Sequence, residues 1–183
     1  MTRKNWITVV GIVGMVTLVI GCTSTGGAVN KEYTKFENSA RNEASKGVIV
    51  GVGQASTKGL TPSLARQTAE SRARADVARQ MNAIVKSRIV DHEEGVEGAS
   101  FKGESYQSSI TETLSKAELV GSRVLKVETD DSGLNYFVAI VYDIAQAKKL
   151  TADAINKSEL ARNKKAADAA IADMNAAFDR EFN

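Results

Sequence analysis

Cysteine, histidine and proline occur once each in this chain, and aromatic residues make up only 5% of it. Each shortage removes a class of function. A lone thiol closes no disulfide within the chain, so stability has to come from packing. The single histidine, His92, lies in the polar stretch 91–94. No Gly-x-Ser-x-Gly elbow exists for it to serve, and its acidic neighbours lack the ligand spacing of a metal site. There is no phosphate-binding loop and no cluster of aromatics on which bases could stack. The expectation is a non-enzyme without cofactor or metal, with His92 exposed near a helix end. Charge is no more suggestive. Of 24 basic residues against 22 acidic ones, Arg3 and Lys4 account for the excess, and from residue 22 onward the balance is zero. Nucleic acid is therefore not an expected partner.

The one cysteine stands at a distinctive place. Cys22 follows Leu18, Val19, Ile20 and Gly21, at the end of an apolar run that opens at Ile7, just after Arg3 and Lys4. A basic start, an apolar core of about fourteen residues and a small residue before a cut point describe a secretory leader, and that core is short for a membrane span. The order Val19, Ile20, Gly21, Cys22 resembles the bacterial lipobox, whose cysteine takes diacylglycerol before the leader is removed and the new amino terminus is acylated. The resemblance implies lipidation at Cys22 and a membrane partner held through palmitate-type chains. At about 0.8 kcal/mol per buried methylene, three such chains attach almost permanently. Thr23, rather than an aspartate, after the cysteine is similar to the outer-membrane sorting pattern.

Four segments follow: a leader at 1–21, a tether at 22–46, an α+β domain at 47–143 and a C-terminal helix at 144–183. The tether is rich in Ser, Thr, Asn, Gly and charge, yet Tyr33, Phe36, Ala40 and Ala44 keep helical spacing, so part of it suits a helix packed on the domain. Residues 47–54 read as a strand with Val48, Val50 and Val52 on one face and Gly51 and Gly53 on the other. Glycines on that face invite a helix laid close across it. They do not make a dinucleotide fingerprint, since Ser56 stands where the third glycine belongs. Thr61 and Pro62 open a helix expected to run to about Val90. Its stripe is Ala65, Ala69, Ala73, Val77, Met81, Ile84 and Ile89. Its arginines suit a solvated face paired with Glu70 and Asp76, or alternatively a basic groove for an acidic ligand. Residues 91–103 read as a loop, and 106–117 fit a helix or a strand equally well.

Next comes a hairpin, 120–129 and 134–143, around a turn at 130–133. Its second strand is apolar on both faces: Tyr136, Val138, Ile140 and Tyr142 on one, Phe137, Ala139 and Val141 on the other. One helix covers one face, so the second is expected to meet the tail, another subunit or a partner. In the tail Ala147, Leu150, Ala154, Ala161, Ile171, Phe178 and Phe182 fall near a 3.5-residue period, and its first half is expected to clamp the open sheet face. Phe137, Ala139, Val141, Ile171, Phe178 and Phe182 are thus the candidate interaction surface.

Taken in order, the lipobox, the short tether, the Gly-Val-Gly strand, the Ala/Arg helix at 69–80 and the hairpin ending in residues 136–142 resemble the twenty-kilodalton outer-membrane lipoproteins of the Lpp-twenty type. That family includes FlgP-like flagellum-associated lipoproteins. The resemblance covers about 47–143. It implies an α+β fold, a long helix packed on a small antiparallel sheet with a C-terminal helical tail, at the outer membrane. No catalytic residues carry over. The expected function is a structural or assembly module of the cell envelope, a homo-oligomer or bound to an envelope protein. The alternative is a small-ligand-binding lipoprotein with its pocket at Gly51, Gly53 and the arginine face.

Overall fold

The computed structural model describes residues 26–93, 103–117 and 119–182. The expected leader, Cys22 and most of the expected loop at 91–103 lie outside them. The elements run α1 (Gly26–Glu43), β1 (Val48–Ser56), α2 (Pro62–Glu93), α3 (Gly103–Lys116), β2 (Arg123–Thr129), β3 (Asn135–Asp143), α4 (Ile144–Lys157), a 3-10 turn (Glu159–Arg162) and α5 (Lys164–Phe182). The fold is α+β as expected, with a long helix on a three-stranded antiparallel sheet of order β1-β3-β2.

The glycines of β1 set the spacing of helix and sheet. A Cβ added to Gly51 would lie 2.2 Å from the Ala73 carbonyl oxygen, and one added to Gly53 the same distance from that of Ala69. Helix backbone thus rests directly on strand backbone. Only glycine on the strand and alanine on the helix permit this, and Ala65, Ala69 and Ala73 are fully buried. Further along, the stripe swells to Val77, Met81 and Val85, which fill the space where α2 leaves the sheet. Thr61 caps α2 by accepting from the Leu64 amide at 3.3 Å, with Pro62 in the first turn. The helix continues to Glu93, so His92 falls within its last turn.

Residues 103–116 resolve as a helix. Ile110 and Leu114 are buried against α2, while Thr113 turns its hydroxyl back onto the Ser109 carbonyl at 2.9 Å. That local bond satisfies the hydroxyl within the helix. The first strand of the hairpin starts at Arg123, three residues later than expected. Residues 119–122 instead make a tight turn, with Leu119 at φ 43°, Gly121 at φ 92° and the Ser122 amide donating to the Leu119 carbonyl at 3.0 Å. Leu119 is driven into the core and Val120 into solvent.

The tail is two helices, not one. Ser158 donates to the Ile155 carbonyl at 2.7 Å and accepts from the Leu160 amide, which breaks the helix without glycine or proline. Lys148 near the start of α4 meets Asp179 near the end of α5 at 2.6 Å, so the two run antiparallel. They pack on α2 and α3, and Ala147, Ala154, Ile155, Ala170, Met174 and Phe178 join the core on the Val138 and Ile140 side of the sheet. The expected clamp over the opposite face is therefore corrected. The buried face of this alanine-rich hairpin meets α2 and α3, and the opposite sheet face is already occupied.

That opposite face is covered by α1. Phe36 and Ala40 are buried with Val50, Val52, Phe137, Ala139 and Val141 as a second core, with Tyr33, Ala44 and Leu125 at its margin. The rings of Phe36 and Phe137 lie 5.7 Å apart, and Tyr33 meets Phe137 edge-on at 6.0 Å. The helical spacing within the expected tether is what this docking uses. The sheet is a middle layer between α1 and the other helices.

Two outcomes follow for stability. Gly53→Ala forces backbone from backbone and is expected to cost about 3 kcal/mol, the upper end of overpacking, whereas Ala83→Leu on the exposed side of α2 changes the melting temperature little. Equal melting of the two variants would refute the close contact. Phe36→Ala is expected to cost about 3–5 kcal/mol and to open residues 26–46 to protease, because α1 is part of the core. Unchanged stability on urea unfolding would show that α1 is only a tether.

Candidate functional site: the two edges of the sheet

The six residues expected to form an interaction surface do not lie together. Phe137, Ala139 and Val141 are buried beneath α1, and Phe178 is buried in the main core, stacked on Phe182 at 6.1 Å. Ile171 and Phe182 are partly buried against that same core. The surface is corrected: α1 fills one part and the folding-back of α5 the other. The alternative pocket at Gly51 and Gly53 is closed by the α2 backbone. Cys22 and the side chain of His92 lie outside the described residues.

What the sheet leaves for a partner is its edges, and these differ. In the β1–β3 register Gly51 faces Ile140 and Gly53 faces Val138. The Ile144 amide donates to the Gly47 carbonyl and the Thr57 amide to the Leu134 carbonyl, so the odd-numbered residues of β1 turn toward β3 and the outward backbone groups are those of Val50, Val52 and Gln54. All three residues are engaged. The Val52 amide donates to Asp76 Oδ2 at 3.2 Å, Gln80 Nε2 donates to the Val50 carbonyl at 2.9 Å and Arg72 Nη1 to the Gln54 carbonyl at 2.7 Å. From the other layer the Tyr33 hydroxyl donates to the Val52 carbonyl at 3.3 Å. Burial, then the carboxylates of Glu37 and Asp76, push that phenol above its ordinary 10, so it remains a donor at neutral pH. Asp76 is steadied by Arg79 at 2.9 Å and Gln80 at 3.0 Å. The polar side of α2 thus works as a lid on β1.

The arginines of α2 divide accordingly. Arg66 pairs with Glu70 at 3.1 Å, and Arg74 reaches Glu70 at 3.9 Å and Ser122 Oγ at 3.2 Å. Pairing with Glu70 and Asp76 is as expected. Arg72 on the β1 edge was not foreseen, because a helix cation reads the same in sequence whether it meets solvent or a carbonyl. A groove of about 600 Å³ beside Ser71, Arg74, Lys116 and Ser122 is a second concavity, with its arginine already bonded.

On the other edge, β2 pairs Arg123 with Val141, Lys126 with Ala139 and Glu128 with Phe137, and Leu125 is an extra residue that makes a bulge. The Asp130 amide donates to the Asn135 carbonyl at 3.0 Å, so the odd-numbered residues of β3 face β2 and their partners Arg123, Lys126 and Glu128 point their backbone groups at β3. Val124, Val127 and Thr129 therefore point theirs outward, and no side chain of the described residues bonds them. Val124 is 40% exposed. Lys126, the kind of residue that guards an edge, is turned instead onto α1, 2.9 Å from Ser39 Oγ and 3.4 Å from Glu43. Its bond to Glu128 at 3.0 Å, partly opposed by desolvation, raises its pKa and keeps it charged.

The hairpin turn at the end of this edge is built around Asp130. Oδ1 accepts from the amides of Leu134 and Asn135 at 2.8 and 3.0 Å, and Oδ2 from Asn135 Nδ2 and Ser132 Oγ, both at 2.7 Å. Gly133 supplies the positive φ of 69°. Burial opposes ionisation of Asp130, but the four hydrogen bonds outweigh it and hold the carboxyl below its ordinary 3.8. A group so depressed stabilises the fold above its unfolded pKa and loses that contribution as pH falls through 3.8 and below. Asp130→Asn is accordingly expected to be less stable than wild type at pH 7, with the gap narrowing as urea unfolding is repeated below pH 3.8. A gap independent of pH would show that the charge plays no part.

Compared with protein-family models and with curated proteins, the chain matches none. Among the described residues no helix is long and apolar enough to cross a membrane, and no group of three or more His, Cys, Asp or Glu side chains is placed to hold a metal ion.

Proposed function

We propose that the chain is a non-enzymatic lipoprotein, anchored at the outer membrane through Cys22, that serves as an assembly module of the cell envelope by accepting an extended strand along β2. The family resemblance and a place beside a flagellum belong to the same proposal. The observation that carries it is the inequality of the sheet's edges. Three outward positions of β1 are bonded by side chains from two layers, while Val124, Val127 and Thr129 on β2 offer unpaired amides and carbonyls. Strand addition supplies main-chain hydrogen bonds for affinity, with side-chain contacts at alternate positions for selection. Val124, 40% exposed, is the apolar member of that selection, since Val127 is packed against the main core. The bulge at Leu125 confines an incoming strand to short stretches on either side.

Hydrogen exchange tests the edge directly. In purified protein the outward amides of β2 should exchange freely, whereas in native outer-membrane fragments peptides spanning 123–129 should be slowed. The Val52 amide, already bonded to Asp76, serves as a reference that is slow in both. Val124→Pro, which removes only an outward donor, should abolish the slowing while circular dichroism stays unchanged. Free exchange of β2 in the native membrane would refute strand addition. For the anchor, Cys22→Ser should leave residues 1–21 attached and no acyl mass. Wild-type protein with its leader intact and unacylated would overturn that part.

A further inference from the structure

Five large apolar side chains are exposed among the described residues: Leu60, Leu64, Val120, Val124 and Leu134. Three of them gather at one end of the domain. The Leu134 carbonyl accepts from the Thr57 amide at 2.7 Å and from the hydroxyls of Ser56 and Thr57, which joins the hairpin turn to the loop after β1. The Leu60 amide in turn donates to the Thr57 carbonyl at 2.9 Å, and Leu64 sits in the first turn of α2, its amide on Thr61. Leu134, Leu64 and Leu60 are 56%, 47% and 37% exposed. Val120, the most exposed at 79%, precedes the start of β2 and so lies at the far end of the sheet, where Arg123 pairs with Val141.

The chain enters the domain at the leucine end. Helix α1 runs opposite to β1: its last turn adjoins Gly47, Tyr33 reaches Val52, and Glu32 shares a cleft with Thr129 and Asp131 beside the hairpin turn. From Tyr33 back to Gly26 the helix advances about 10 Å, close to the length of β1 beyond Val52. Cys22 is four residues before Gly26, a reach of at most about 14 Å.

We infer that this end of the domain, with Leu60, Leu64 and Leu134 as its contact residues, lies on the lipid surface and inserts those leucines at the boundary of headgroups and acyl chains. The inference rests on lipidation at Cys22. Given it, the helix that carries the anchor is part of the core, so the acyl chains cannot be far from the leucines. Exposed leucines on a turn and a helix start suit an interface, where the nearby backbone still meets headgroups and water. Lys58, exposed between Ser56 and Leu60, can reach a phosphate while its stem lies along the lipid.

The test uses the mature acylated protein, residues 22–183, in vesicles of phosphatidylethanolamine and phosphatidylglycerol whose acyl chains are brominated near the headgroup. Trp6, the only tryptophan, leaves with residues 1–21, so Leu134→Trp or Val120→Trp supplies a single reporter at either end. Both positions are exposed, so neither change should disturb the fold. The Leu134→Trp emission is expected to shift to the blue and to fall by about twofold with brominated lipid, as for a side chain at the interface, and that of Val120→Trp to stay unquenched. Absence of quenching at Leu134→Trp in protein whose acyl mass is confirmed would overturn the orientation while leaving the anchor intact. A blue shift without quenching, as a protein partner over the leucines would give, would overturn it too. Protein lacking the acyl mass would overturn the anchor itself, and the orientation with it.

Discussion

The contact of two backbones governs this molecule. Gly51 and Gly53 let the carbonyls of Ala73 and Ala69 approach the strand as no side chain would allow. Everything lateral depends on that approach. With α2 held so low over the sheet, the short side chains of Asp76 and Gln80 reach around to the outer edge of β1. A helix at ordinary distance would carry the same residues into solvent. The glycines therefore do more than permit packing, since they place hydrogen-bonding groups where β1 needs them and leave β2 without any. At the other end of α2 the gap widens, and Met81, Val85, α3 and the tail hairpin fill it. The core is a wedge, thin at the glycines and thick where the helices converge.

On the second face the constraint is size. Phe137, Ala139 and Val141 present a large ring and two small side chains, and α1 answers with Phe36 over the ring and Ala40 over the small residues. Because this helix also leads back to the amino terminus, the same side chains that complete the core fix where the chain enters it. A flexible tether would decouple the domain from whatever precedes it, whereas a docked helix transmits orientation.

The glycine face of β1, the alanine stripe of α2, the two-faced β3 and the turn at 130–133 were legible because each is a local pattern with one physical reading. The helix at 26–43 was legible in part, through Tyr33, Phe36, Ala40 and Ala44, but a polar composition gave no hint that it would cover the face assigned to the tail. The break at Ser158 was not legible, since a serine in an alanine-rich run signals nothing until its hydroxyl is seen bonded to Ile155. Nor were the edges. Asp76, Gln80 and Arg72 read as a solvated helix face, and only tertiary proximity turns them into partners of β1. The extra residue at Leu125 belongs to the same class, because a bulge is defined by the neighbour strand and not by the sequence that carries it.

The two proposed surfaces constrain each other. If the hairpin end faces lipid, the strands stand away from the membrane, and β2 runs in the same sense in every copy anchored on that surface. Antiparallel pairing of β2 with the β2 of a neighbour would invert one copy and lift its leucines and its anchor away from the lipid. Two copies on one membrane can therefore not join in that way, however well their edges match. Pairing of β2 with a neighbour's β1 is opposed for a different reason, since it would have to displace the bonds from Asp76, Gln80, Arg72 and Tyr33. Under the proposed strand addition and orientation, the strand best suited to β2 is thus an extended segment of another protein, free to take the antiparallel direction that the sheet favours.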